Sequence, residues 1–281
     1  MQVYSVDTGY FKLDGGAMFG VVPKVIWNKL NPADDNNLCT WAMRCMLVVD
    51  GAQRILIDTG MGNKQSEKFF SHYYPHGEGE LVASLKQLGF EAADITDVIL
   101  THLHFDHCGG AVSRLNDTLI PTFSKATYWS TEKHWDWAMN PNNREKASFL
   151  KENFVPLQEN GQLKFIHENE TGVSKFSDNI DILFAHGHTQ SMMLPLIRYK
   201  GKTICYMADL IPSSVHVPLP YVMGYDMFPM TTLIEKEKFL QTACKEEYIL
   251  FYEHDPVAEC STVELTEKGY KRKEVFNLDA I

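Results

Sequence analysis

The sequence has no cysteines spaced as CxxC and no excess of basic residues. Nor does it contain an apolar run approaching the roughly 18 residues that a membrane-spanning helix needs. Its six cysteines, Cys39, Cys45, Cys108, Cys205, Cys244 and Cys260, are scattered along the chain. That excludes a compact disulfide framework and fits free thiols in a reducing, cytoplasmic compartment. The opening residues MQVYSVDTGYFKLDGG lack a basic stretch followed by an apolar core, so no secretory signal is expected. Lys and Arg number 26 against 36 Asp and Glu, a formal net charge of -10. A surface of that sign repels phosphate backbones and argues against nucleic acid as a partner. The one basic cluster, YKRK at 270–273, reads as a solvated strand or turn. No repeat, low-complexity stretch or linker divides the chain. One domain over 1–281, with no membrane partner, is therefore expected.

Short β-type runs alternate with helical patterns, which points to an α/β or α+β architecture. CMLVVDGAQRILIDTG reads as a hairpin, with strands over 45–49 and 54–58 around Asp50-Gly51. GELVASLKQLG reads as a helix closed by Gly89. DVILT, IDILFAH (180–186), KTICYMAD (202–209) and EYILFYEH (247–254) read as strands. A helix begins near Ser130 and stops before Pro141, and NREKASFLKENF reads as a second, so a helical insertion lies near 130–155. Thr232 and Glu235 have the spacing of a capping box. The helix after them carries Leu233, Phe239, Leu240 and Ala243 near one face. A terminal hairpin turns at Lys268-Gly269.

What is present in abundance is metal-ligand chemistry at strand ends. DVILT runs into His102, His104, Asp106 and His107 within six residues. IDILFAHGHT ends in His186 and His188, KTICYMAD in Asp209, and EYILFYEH in His254. Strand ends of layered sheets gather at one edge, where sites form. His102 and His104 lie two apart, so extended backbone sends both to one side. Seven N and O donors exceed one tetrahedral zinc and suit two ions about 3.5–4 Å apart with a bridging carboxylate. His102, His104 and His188 go to one ion, Asp106, His107 and His254 to the other, and Asp209 bridges. His186 is the competing donor to His188. Cys108 reads as a small packed thiol. His72, His76, His134 and His167 read as ordinary core or surface histidines.

The motifs THLHFDHCGG, GHT at 187–189, the Asp209 of AD and the histidine of YEHDP resemble those of the metallo-β-lactamase-fold hydrolase superfamily. LIDTG (56–60) resembles a further segment of that family, whose aspartate supports the site from behind; this puts Asp58 in an orienting role. The resemblance implies an α+β fold, a four-layer αββα sandwich, with a dinuclear centre at one edge. DGGAMFGVVPK (14–24) looks like the lactonase and organophosphate hydrolase branch. Two departures stand out. Gln190-Ser191-Met192 replaces a common Pro-Gly-His continuation. Leu210-Ile211-Pro212 also follows Asp209, where acyl-homoserine lactonases soon carry a tyrosine, which argues against that substrate.

By this resemblance two divalent ions, zinc first and Mn, Fe, Co or Ni as alternatives, activate a bridging hydroxide at neutral pH. The hydroxide cleaves a small ester, lactone or phosphotriester. Asp106 and Asp209 are the catalytic carboxylates, and Asp106 is placed to relay a proton. The apolar, proline-rich stretch 210–229 reads as a pocket wall offering His216, Tyr221 and Tyr225 to polarise a small-molecule substrate. Trp135 and Trp137 either cover the same edge or serve helix packing or a homodimer contact. The competing activities on this fold are an iron-dependent oxidoreductase of the persulfide dioxygenase kind and a thioester hydrolase. The full HxHxDH cluster disfavours the first. YKRK is a poor match to the basic set the second needs.

Overall fold

The computed structural model describes residues 1–281. A six-stranded sheet has the order Gln2–Val6, Cys45–Asp50, Gln53–Ile57, Asp97–Ile99, Thr127–Ser130, Leu163–Phe165. A seven-stranded sheet runs in chain order from Val173–Lys175 through Ile180–Ala185, Met192–Tyr199, Lys202–Tyr206 and Ile249–Phe251 to Cys260–Thr266 and Gly269–Phe276. Period-2 alternation explains how the first sheet is sandwiched. Met46, Val48, Ile55, Ile57 and Ile99 join a core with residues of the second sheet. The alternate residues Leu47, Leu56, Val98 and Leu100 join another, with Leu81 and Leu85 of the helix Leu81–Gln87. On the second sheet, the helix Pro229–Lys245 seats Phe239, Leu240 and Ala243. The result is the α+β, αββα sandwich that the sequence resemblance implies. No helix is long and apolar enough to cross a membrane.

The strand expectations hold within a few residues, and YKRK lies on the final strand, with Tyr270 buried and Lys271, Arg272 and Lys273 exposed. Two helix-level expectations fail. Residues 143–148 form turns rather than a helix, with a 3-10 turn only at Lys151–Asn153. Here tertiary bonds outweigh helical propensity. Asn142 Oδ1 caps one turn, accepting the backbone N–H of Arg144 at 2.8 Å and of Glu145 at 3.1 Å. The Ser148 carbonyl, however, accepts the Phe105 N–H at 3.0 Å and Glu145 is held to His104 and Thr189, so the turn is not continued. The capping-box reading also fails. The helix starts four residues early, at Pro229, whose missing N–H suits a first turn. The Glu235 carboxylate instead accepts the backbone N–H groups of His186 and Gly187, at 2.8 and 3.0 Å.

Candidate metal centre

The central strand Asp97–Ile99 gives way to Leu100-Thr101-His102, then to a single helical turn, Phe105–Cys108. Extended backbone between them leaves the His102 and His104 rings side by side, centroids 4.5 Å apart. The helical turn swings Asp106 and His107 back beneath them. This turn is clamped by the loop after Ile57. A Cβ on Gly109 would lie 2.0 Å from the Met61 carbonyl oxygen, and one on Gly110 2.2 Å from that of Thr59, so only glycine fits at either position.

The other donors come from the second sheet. His188 follows Ile180–Ala185 across Gly187, where a Cβ would sit 2.3 Å from the Thr232 nitrogen. Asp209 follows Lys202–Tyr206, and His254 follows Ile249–Phe251. Asp209 Oδ2 lies 3.0 Å from His188 Nε2 and 3.6 Å from His107 Nε2, while Oδ1 lies 3.2 Å from His254 Nε2. The seven residues fall into two groups, each with all ligand atoms within 4.8 Å: His102, His104, His188 and Asp209; and Asp106, His107 and His254.

The outward faces of these rings are held. The Ala42 carbonyl accepts from His254 Nδ1 at 2.8 Å. A carbonyl can only accept, so Nδ1 carries a proton and Nε2 is the atom turned inward. His188 Nδ1 meets Asp226 at 2.9 Å, and His104 Nε2 meets Glu145 at 2.9 Å. His107 Nδ1 faces Asp58 at 3.1 Å and Glu253 at 3.0 Å. Asp58 itself accepts from the Thr101 backbone at 2.8 Å and hydroxyl at 2.6 Å, and a left-handed backbone (φ 57°) aims it there. Carboxylates and carbonyls behind histidines fix ring orientation and raise basicity, as metal ligands require.

The site's carboxylates draw positive charge, which a proton or a metal ion can supply. Burial works against charge on His188, yet Asp209 and Asp226 outweigh it and push its pKa up to about 10. His254 rises to about 9, Asp209 and Glu253 again overcoming burial. Burial and the neighbouring imidazoles hold His102 well below the ordinary value. Its Nε2 is fully buried and has no hydrogen-bond partner. Such a group is costly to leave unpaired, and a divalent cation is a partner that would satisfy it together with the other four histidines and the carboxylates of the site.

The structure places the remaining sequence candidates as follows. Tyr225 lines the cavity in front of the donors. His216 does not: it is fully buried, stacked 4.7 Å from Phe19, its Nδ1 facing the Ser213 hydroxyl and its Nε2 donating to the Met18 carbonyl. Tyr221 packs edge-on against the same Phe19 and is likewise absent from the cavity wall. Both therefore brace the 210–229 loop rather than meet substrate. His186 turns outward to Glu168, 3.0 Å away. Trp135 packs on Phe154, while Trp137 Nε1 donates to Glu145 at 2.6 Å. The sequence reading passed over Glu145, Asp226 and Glu253. Asp226 lies in the loop already suspected, and Glu253 adjoins His254. Glu145 gave no signal, because its segment reads as a solvated helix.

A family model described as the metallo-beta-lactamase superfamily matches residues 44–254. An N-acyl homoserine lactonase of a Bacillus species is 26% identical over 267 residues, 90% of this chain and 93% of that protein. A metallo-hydrolase, mfmC, of Annulohypoxylon moriforme is 25% identical over 78% of this chain and 62% of its own length. Among solved structures, a probable metal-dependent hydrolase from Staphylococcus aureus superposes with a TM-score of 0.88 at 25% identity, covering 98% of this chain and 96% of that one. AidC, a dizinc quorum-quenching lactonase, superposes at 0.80 with 22% identity, covering 98% and 95%.

Proposed function

On the premise that the chain belongs to the metallo-beta-lactamase superfamily and is a metal-dependent hydrolase, we propose that it works with two divalent ions, zinc foremost, on a small ester or lactone. The observation that carries this reading is the pair of adjacent donor groups sharing Asp209. Two ions held there would make water nucleophilic near pH 7 and polarise the scissile carbonyl. His102, His104 and His188 would hold one, Asp106, His107 and His254 the other, with Asp209 between. The curated lactonase relatives and the dizinc lactonase neighbour support both ester chemistry and zinc.

The protein's own contribution is placement. Asp58, Glu145, Asp226 and the Ala42 carbonyl hold the ligand rings, so little reorganisation accompanies reaction. Asp106 lines the cavity and is the carboxylate available to carry a proton to the leaving group. Leu13, Met18, Phe105, Met223 and Met227 give a cavity of about 340 Å³ an apolar wall for an acyl or alkyl portion. Leu210, Ile211 and Pro212 carry no hydroxyl, and the hydroxyls of Ser213 and Ser214 are buried against His216 and Arg272, so Tyr225 is the side chain we assign to assist the carbonyl. Six cysteines, all free, support a reducing, cytoplasmic setting.

The test joins metal analysis with a panel of lactones, aryl esters and phosphotriesters. Close to two ions per chain and turnover of esters or lactones are expected. One iron per chain, with a visible absorption band and no hydrolysis, would favour the oxidoreductase alternative.

A further inference from the structure

The cavity wall carries one cationic side chain outside the histidine cluster, Arg144. Its guanidinium makes a single hydrogen bond, to the Gly224 carbonyl, and has no acidic partner. Five N–H donors in a planar fork leave four free. The carboxylates on the same wall are engaged elsewhere: Asp209 with His188, Glu145 with His104, and Asp106 3.8 Å from His254. The rest of the wall combines methionine, leucine and phenylalanine with the neutral hydroxyls of Tyr73, Tyr225 and Ser148.

Its placement is built rather than incidental. The Asn142 side chain ties the backbone N–H groups of Arg144 and Glu145. Consecutive residues thereby point two ways, Glu145 to the ligand His104 and Arg144 to the cavity. The bond to Gly224 holds the guanidinium against the 223–227 loop, which supplies Met223, Tyr225 and Met227 to the same wall.

We propose that Arg144 recognises a carboxylate carried by the ester or lactone substrate away from the scissile bond. This rests on the hydrolase reading above and narrows its substrate class. A guanidinium fork pairs with carboxylate through charge-assisted, often bidentate bonds, stronger than those to a neutral carbonyl. A neutral phosphotriester or simple alkyl ester would leave the free donors facing apolar wall or water.

The experiment compares two aryl esters of equal acyl length on the metal-loaded enzyme, spontaneous hydrolysis subtracted: 4-nitrophenyl pentanoate and the mono-4-nitrophenyl ester of glutaric acid, in which a carboxylate replaces the terminal methyl. The half-ester is expected to show a kcat/KM about tenfold higher or more, mainly through KM. Arg144→Met should bring the ratio close to unity and Arg144→Lys should restore part of it. Lys146→Met, an exposed change nearby, should leave the ratio in place. Equal rates for the two esters in the unaltered enzyme would overturn the proposal, as would a ratio that survives Arg144→Met. A parallel loss on both esters would assign Arg144 the role of a loop strap and would overturn it too. Hydrolysis without carboxylate preference removes this inference alone. A metal-loaded chain that cleaves no ester or lactone removes the hydrolase reading and this inference with it.

Discussion

The two donor groups are held from opposite directions. Behind His107 and His254 stand Asp58, Glu253 and the Ala42 carbonyl, and both side chains are fully buried beside the sheets. Behind His104 and His188 stand Glu145 and Asp226, which belong to the segments that also form the cavity wall, through Arg144 on one side and Tyr225 and Met227 on the other. One group is thus braced by the core, the other by the pocket. A change in the core should disturb a metal without reshaping the pocket, whereas a change in the pocket loops should disturb both.

Asp209 belongs to neither side, since its two oxygens reach His188 and His254. Asp209→Ala should therefore collapse the distinction. We expect loss of both ions on metal analysis and a fall in kcat/KM of more than about a thousandfold, because metal and geometry go together. Unchanged hydrolysis would remove Asp209 from between the groups.

Asp58→Asn and Asp226→Asn separate the two braces. Each removes a charge behind one histidine and should weaken one ion by about 10–100-fold in a chelator titration. Asp58→Asn should weaken the ion at Asp106, His107 and His254 and leave KM nearly constant. Asp226→Asn should weaken the ion at His102, His104 and His188 and also raise KM, because the residue sits in the wall-forming loop. Equal KM effects from the two variants would erase the core-versus-pocket contrast.

The same contrast decides what the sequence disclosed. Residues 102–107 are contiguous, so spacing alone brings four donors to one place. His188, Asp209 and His254 are readable only as strand ends, through the rule that such ends share an edge. Asp58 came only through the family resemblance of LIDTG. The pocket-side supports did not show, because Glu145 and Arg144 occupy a stretch whose composition favours helix, and the tertiary bonds of Ser148 and Glu145 override that preference. His216 misled for a related reason. A histidine in an aromatic loop looks like a substrate contact until packing shows both nitrogens satisfied.

That histidine supplies a pH test within the wall-forming loop. Burial holds the His216 pKa down to about 3, below the ordinary 6.5. As pH falls through 6.5 the unfolded chain takes up a proton and the folded one does not. Stability is thus full above pH 6.5 and is lost progressively toward pH 3, by a few kcal/mol at most. His216→Phe should flatten that segment of the stability–pH curve in denaturant titrations, at some cost in loop packing. A curve of unaltered slope would mean that His216 does not titrate between the two states.

The smallest effect belongs to His186. It lies two residues before His188 on the same strand end, but its ring is turned to Glu168, 3.0 Å away, and its Nδ1 lies 3.3 Å from the Gln190 amide. What the metal group needs from residue 186 is its backbone N–H, held by Glu235 at 2.8 Å, and alanine keeps that. His186→Ala should therefore leave metal content unchanged and lower stability by no more than about 1 kcal/mol, the range of a partly exposed ion pair. Loss of one ion on metal analysis would transfer the ligand role from His188 to His186, and with it the claim that the 223–227 loop braces a metal.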